Sequence, residues 1–310
     1  MKKLLLIPIC CIICVSGLFT WGNSYKEMVA SDVTFYEMGD ASLTIYDTLN
    51  ESYMPKVDIG KMRDLAYLQK YYYAVDKKTG ITGDYFNIDK LLATDVKVTT
   101  EGSGPKVLIF HTHGSELYAD SKGINEGVIG CGNYLKKVLE DKYGIETLHI
   151  TDIFDKENGK LNRDGAYERA EPRIKQVLHE NPSIELVIDL HRDGVNENLR
   201  LIANDKGDTC AKIMLFNGLC QKWENGKLVK IDSLQNPNIP TNLALSLEMQ
   251  LALNEINPAL TRKIYLNAYR YSLHMKDKSL LIELGAQTNT YKEACNSIDR
   301  LAEALAKVCF

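Results

Sequence analysis

Residues 107–116 read VLIFHTHGSE, and this stretch constrains the fold more than any other part of the chain. Four consecutive apolar residues between Gly104-Pro105 and Gly114 are too few and too unbroken for an amphipathic helix. They read as a strand buried on both faces, as in the parallel sheet of an α/β protein. His111, His113 and Glu116 then fall where that strand ends, and open α/β sheets bind ligands at the carboxyl ends of their strands. Residues 186–193, LVIDLHRD, repeat the design with His191-Arg192-Asp193 at the end, and residues 279–285, SLLIELG, place Glu283 inside an apolar run. Three such strands, side by side, bring His, His and Glu to one zinc ion and its catalytic base.

The rest of the chain alternates in the same sense. The apolar spacing predicts helices over 127–139 (stopped at Gly144), 170–180 (with Pro172 in its first turn), 242–254 and 290–307, and strands over 145–150, 212–216 and 264–271. That alternation is the pattern of an α/β fold, a doubly wound or related three-layer α/β/α domain with a mostly parallel sheet. It begins near residue 105, so the expected division is a segment over 1–22, a spacer over 23–104 and a catalytic domain over 105–310. Within the spacer, residues 67–74 (YLQKYYYA) form a tyrosine-rich patch, read as local helix packing in preference to a ligand-stacking platform.

Lys2 and Lys3 precede an apolar run over residues 4–21. Its length, roughly 18 residues, lies between a signal peptide and a spanning helix. The run ends Leu18-Phe19-Thr20-Trp21 without a small-x-small cleavage pattern, so a retained single-pass anchor is expected, its lysines on the cytoplasmic side and the catalytic domain outside. A net charge of -4 with dispersed Lys and Arg gives no reason to expect nucleic-acid binding. Three of the eight cysteines sit in the apolar segment, and the other five, without CxxC spacing, read as buried free thiols; a Cys210–Cys220 bridge is the one pairing considered.

Zinc takes imidazole nitrogen and carboxylate oxygen, and a catalytic site leaves one position open. The roles assigned are His113, Glu116 and His191 to the metal and Glu283 to the base. Which of His111 and His113 binds metal depends on the chain direction at Thr112: along a continuing strand both would ligate, whereas a turn there leaves one to orient substrate or support the ligands. Glu126, opening the next helix, rivals Glu116. Each assignment has a bland counterpart. A single strand-end histidine is ordinarily a hydrogen-bonded side chain, but three of the six histidines lie at two strand ends; His149, His179 and His274 lack that context. Glu283 would otherwise be an ion-pair partner of Arg192 or Arg270, since an unpaired carboxylate is excluded from a core. Asp189 or Asp193 would hold the His191 ring, and Arg192 would either bind a substrate carboxylate or pair with Asp193.

HTHGSE at residues 111–116 together with IDLHRDG at 188–194 resembles the paired signature of the stage II sporulation protein P family. KYGIETLH (142–149), NPNIPTNLALSLEMQ (236–250), NPALTRKIY (257–265) and SLLIELGAQTNTYKEA (279–294) extend the resemblance over residues 106–310, with the N-terminal anchor in addition. That family is similar to zinc-dependent N-acetylmuramoyl-L-alanine amidases. The resemblance therefore implies a peptidoglycan hydrolase that cuts the amide between the MurNAc lactyl group and L-alanine, with cleavage of peptide cross-links also associated with the family. It further implies action in forespore engulfment, alongside a membrane protein and a lytic transglycosylase of the same stage. In the broader amidases a Glu opening the first helix ligates, which is the place of Glu126; in the sporulation family HTHxxE keeps its Glu, which favours Glu116. Ser272-Leu273 departs from the Asn-Gln expected after Arg270-Tyr271. Two other classes compete: a zinc carboxypeptidase-type hydrolase, with Arg192 as its carboxylate receptor, and a non-catalytic wall-binding or scaffolding protein on the same fold.

Overall fold

The computed structural model describes residues 55–310 together with two short paired strands, Thr34–Phe35 and Ile45–Tyr46. The apolar segment read as an anchor lies outside the described residues, and no described helix is long and apolar enough to cross a membrane. The fold is mixed α/β around a seven-stranded, mostly parallel sheet. Its strands are β1 (Tyr73–Val75), β2 (Val107–Phe110), β3 (Thr147–His149), β4 (Leu186–Asp193), β5 (Ile213–Gly218), β6 (Ile264–Asn267) and β7 (Lys278–Ala286). They stand in the order β1-β6-β5-β7-β4-β2-β3. Only the β5–β7 junction is antiparallel, so β2, β4 and β7 all run the same way and end at one rim.

Helices cover both faces. On one side α1 (Val128–Tyr143), α3 (Ile239–Ile256) and α4 (Tyr291–Cys309) pack on Ile109, Ile188, Ile213 and Ile282 to make the main core. On the other, α2 (Ala166–Glu180) packs on Leu108, Phe110 and Val187. Period-two alternation assigns strand neighbours to opposite faces, which sends Asp189, His191 and Glu283 to the α2 side.

Helix ends follow the local chemistry. Gly144 closes α1 in the left-handed conformation, φ 66°, as the predicted stop required. Thr290 and Glu293 form a reciprocal capping box that starts α4. Helix α2 begins four residues earlier than the spacing predicted, because Ala166 is buried one turn before Ala170, Ile174 and Val177; Pro172 therefore sits inside the helix and not in its first turn.

The segment assigned to the spacer contributes to this unit. β1 is hydrogen-bonded to β6 as an edge strand, and Met62, Leu68, Phe86 and Leu91 join the main core. The tyrosine-rich patch serves packing, with Tyr72 and Tyr73 buried. Alternation alone missed this strand because it is three residues long and lacks a flanking apolar run. The five described cysteines are free, so no Cys210–Cys220 bridge forms, and all but Cys295 are buried.

Candidate metal centre and active site

The site grows from the register between β2 and β4. Phe110 stands opposite Asp189, and the chain leaving β2 turns at Thr112 onto that carboxylate. Thr112 donates its backbone N–H to Asp189 Oδ1 at 2.9 Å and its hydroxyl to Oδ2 at 2.7 Å. The turn sends the two motif histidines in different directions. His111 is fully buried on the α1 side, its Nδ1 2.7 Å from Leu190 O and its Nε2 2.8 Å from His149 Nε2. A Cβ on Gly132 of α1 would lie 2.7 Å from that His111 nitrogen, so the ring fits only beneath a glycine. His113 instead faces α2, edge-on to Tyr167 at 5.6 Å and to His191 at 5.0 Å.

Glu116, 3% exposed, closes the arrangement. Its Oε1 lies 3.6 Å from His113 Nδ1 and its Oε2 3.6 Å from His191 Nδ1. One ligand atom from each of His113, Glu116 and His191 lies within 4.8 Å of the others, the one such group of three among the described residues. His191 Nε2 lies 2.7 Å from Asp189 Oδ1, an ion-pair contact that puts a carboxylate on the far side of the ring. Burial alone would depress His191; the carboxylates of Asp189 and Glu116 outweigh it and hold the ring well above its ordinary value. Burial likewise pushes Glu116 up, but His113, His191 and Arg192 hold its carboxyl well below the usual range.

Glu283 stands opposite His191 across the β7–β4 pair, and a bulge follows it before Ala286 pairs with Asp193. Gly285 takes φ 64° within that bulge, a device that re-aims side chains beside active sites. Glu283 is half-buried, its Oε2 is buried without a hydrogen-bond partner, and desolvation pushes the carboxyl up to about 8. Neither arginine named as a bland partner reaches it. Arg270 pairs with Glu171 at 3.1 Å, and Arg192 donates to Leu117 O and Asp193 O.

The structure thus brings together His113, Glu116, His191, Glu283 and Asp189, and chooses among the alternatives that the sequence left open. His111 does not join the cluster, because the turn at Thr112 ends the strand alternation that would have kept it beside His113. Arg192 places Nε and Nη1 on the carbonyls of Leu117 and Asp193, with Nη1 4.0 Å from Glu116 Oε1; it does not pair with the Asp193 side chain, which binds Arg262 at 2.7 Å. Glu126 caps its own loop, accepting from Lys122 N at 2.8 Å, and stands outside the ligand group. Sequence reasoning missed Thr112, Arg163 (3.2 Å from Glu116 Oε1) and Tyr167. Thr112 lay inside the motif, where Asp189 offered a partner; nothing near Arg163 or Tyr167 marked them.

A model of the stage II sporulation protein P family matches residues 68–306. The chain belongs to this family. The stage II sporulation protein P of Bacillus subtilis (strain 168) is 25% identical over 225 residues, which cover 67% of this chain and 51% of that protein. The chain therefore matches about half the length of that relative. Among solved structures, the catalytic domain of CwlV, an N-acetylmuramoyl-L-alanine amidase from Bacillus (Paenibacillus) polymyxa var. colistinus, aligns with a TM-score of 0.40 at 11% identity, over 66% of this chain and 94% of that one. The N-acetylmuramoyl-L-alanine amidase from Clostridium difficile 630 aligns with a TM-score of 0.39 at 15% identity, over 66% and 95% respectively.

Proposed function

We propose that this member of the stage II sporulation protein P family is a zinc-dependent N-acetylmuramoyl-L-alanine amidase, cutting the amide between the lactyl group of peptidoglycan and the stem peptide. The observation that carries the reading is the convergence of two imidazoles and one carboxylate beside Glu283, a half-buried residue whose Oε2 has no hydrogen-bond partner. The donor set fits zinc: two nitrogens and an anionic oxygen leave a tetrahedral ion one open position. His113, Glu116 and His191 would hold it. Zinc bound there supplies Lewis-acid activation of the scissile carbonyl and the attacking water.

The protein's own groups do the rest. Asp189, fixed by Thr112, orients His191 so that Nδ1 faces the cluster. Glu116 remains anionic at neutral pH. Glu283, whose carboxyl is poised near neutrality by burial, accepts a proton from water at Oε2 and returns it to the leaving nitrogen. A cation beside it would lower that value and keep the carboxylate form available. The occupied guanidinium of Arg192 disfavours the carboxypeptidase-type alternative, which needed it for a terminal carboxylate. The unpartnered Oε2 of Glu283 disfavours a purely scaffolding role, because a buried carboxyl oxygen without a partner costs stability.

The proposal extends to the cell: a catalytic domain outside the cytoplasmic membrane, tethered by the N-terminal segment, that acts during forespore engulfment with other membrane proteins of that stage and a lytic transglycosylase. The test is digestion of purified peptidoglycan with products identified by mass. The zinc-loaded full-length chain releases intact stem peptides and a chelator abolishes release. Failure to release them even with a glycan-cleaving transglycosylase present would overturn the proposal.

A further inference from the structure

The α2 face of the sheet carries a feature that the hydrolytic residues do not use. The cluster beneath α2 is drawn from β2, β4 and their surroundings, and beyond β7 the same face carries Phe216 of β5 and Tyr265 of β6, both half-buried. Phe216 is the single residue of β5 that is not buried. From there aromatic rings run without a break to the metal cluster. Tyr265 lies 5.3 Å from Phe216, Phe216 4.7 Å from Tyr271, Tyr271 5.4 Å from Tyr167, and Tyr167 5.6 Å from His113. Tyr269, 44% exposed, flanks Tyr271 at 6.4 Å.

The row is built under strain. Tyr271 takes φ 54°, a conformation that a bulky side chain keeps only when its surroundings over-determine it. Gly218 makes this possible: a Cβ there would lie 2.1 Å from Tyr269 O and 3.0 Å from the Tyr271 ring, so the loop reaches the sheet only over a glycine. Such strained positions cluster at functional sites.

We propose that Tyr269, Tyr271 and Phe216 form the subsite for the amino-sugar rings of the substrate. The inference rests on the amidase reading, because continuity with the metal centre through Tyr167 selects the occupant. The scissile amide joins a sugar's lactyl group to a peptide, so one side of the centre must receive pyranose rings. A pyranose presents a flat C–H face edged by hydroxyls, which suits aromatic rings with polar tips. A stem peptide carries carboxylates and calls for open cations, whereas of the two cations beside the row Arg270 is paired with Glu171 and Lys78 lies over the Tyr269 ring, 5.2 Å from its centroid.

The full-length chain, treated with chelator to stop turnover, is titrated calorimetrically with a peptide-free N-acetylglucosamine tetrasaccharide and separately with free stem peptide. The tetrasaccharide binds the wild type; Tyr269→Ala and Tyr271→Ala each weaken it about tenfold, and Tyr271→Phe stays within about twofold. Stem-peptide affinity is the same in all four proteins. Because Tyr269 is exposed, its variant tests the subsite without disturbing the fold. Absence of tetrasaccharide binding, unchanged binding in both alanine variants, or a parallel loss of stem-peptide binding would overturn the subsite. So would a homodimer that Tyr269→Ala dissociates, since the rings would then seat a second copy. Wild type that binds the sugar yet releases no stem peptide from peptidoglycan removes the amidase reading alone; wild type that releases peptide but binds no sugar removes the subsite alone.

Discussion

Two histidine pairs flank the end of β2 with nearly the same ring geometry and opposite electrostatics. His111 and His149 stack edge-on at 5.0 Å and 78°; His113 and His191 do so at 5.0 Å and 88°. The first pair is surrounded by neutral partners: each ring meets the other, with Leu190 O on one side and Asn133 Oδ1 on the other. Burial pushes His111 down to about 4 and His149 down to about 3. The second pair faces Glu116 and Asp189, which compensate burial at His191. Ring proximity alone therefore does not make a candidate metal site. Carboxylates distinguish the second pair, by supplying a third potential donor and by leaving one imidazole nitrogen of His191 turned toward the cluster.

Substitution of the rings should break this comparison most sharply. His113→Ala or His191→Ala removes a ligand, so bound zinc measured by elemental analysis falls from one per chain to near zero and stem-peptide release is lost; His149→Ala keeps its zinc. Next in size is Glu283→Gln, which keeps one zinc but lowers the rate of stem-peptide release by about 10²–10⁴-fold. Loss of zinc in that variant would make Glu283 a ligand and not a base. Asp189→Asn removes the carboxylate behind His191, and competition with a chelator should show zinc held about 10–100-fold more weakly.

The smallest effect separates the pairs by pH. His111 and His149 have folded values below the ordinary 6.5, so between those values the unfolded chain binds more protons than the native one. Their contribution is complete above about 6.5 and is lost as pH falls toward about 4. Urea unfolding of the metal-free chain should show stability falling over that interval, and His149→Gln should lose less. Equal slopes for the two proteins would show that the pair does not govern acid sensitivity.

Much of the site was legible because it was written in local terms. A four-residue apolar run bounded by Gly104-Pro105 and Gly114 reads as a buried strand, a carboxylate within LLIEL is anomalous in any core, and Gly144 or Thr290 carry their capping chemistry with them. These determined the α/β class, the stop of α1 and the start of α4, and they singled out Glu283 as a candidate. Other features depended on residues distant in the chain. Whether His111 or His113 faces the cluster was decided at Thr112 by Asp189, 77 residues away. Tertiary packing likewise recruited β1 from the presumed spacer, folded Arg192 onto Leu117 O, and set Tyr167 beside His113. Period and composition report what a residue's neighbours in sequence require; which nitrogen or carboxylate it meets depends on strand register and turn direction, and those are settled only when the sheet assembles.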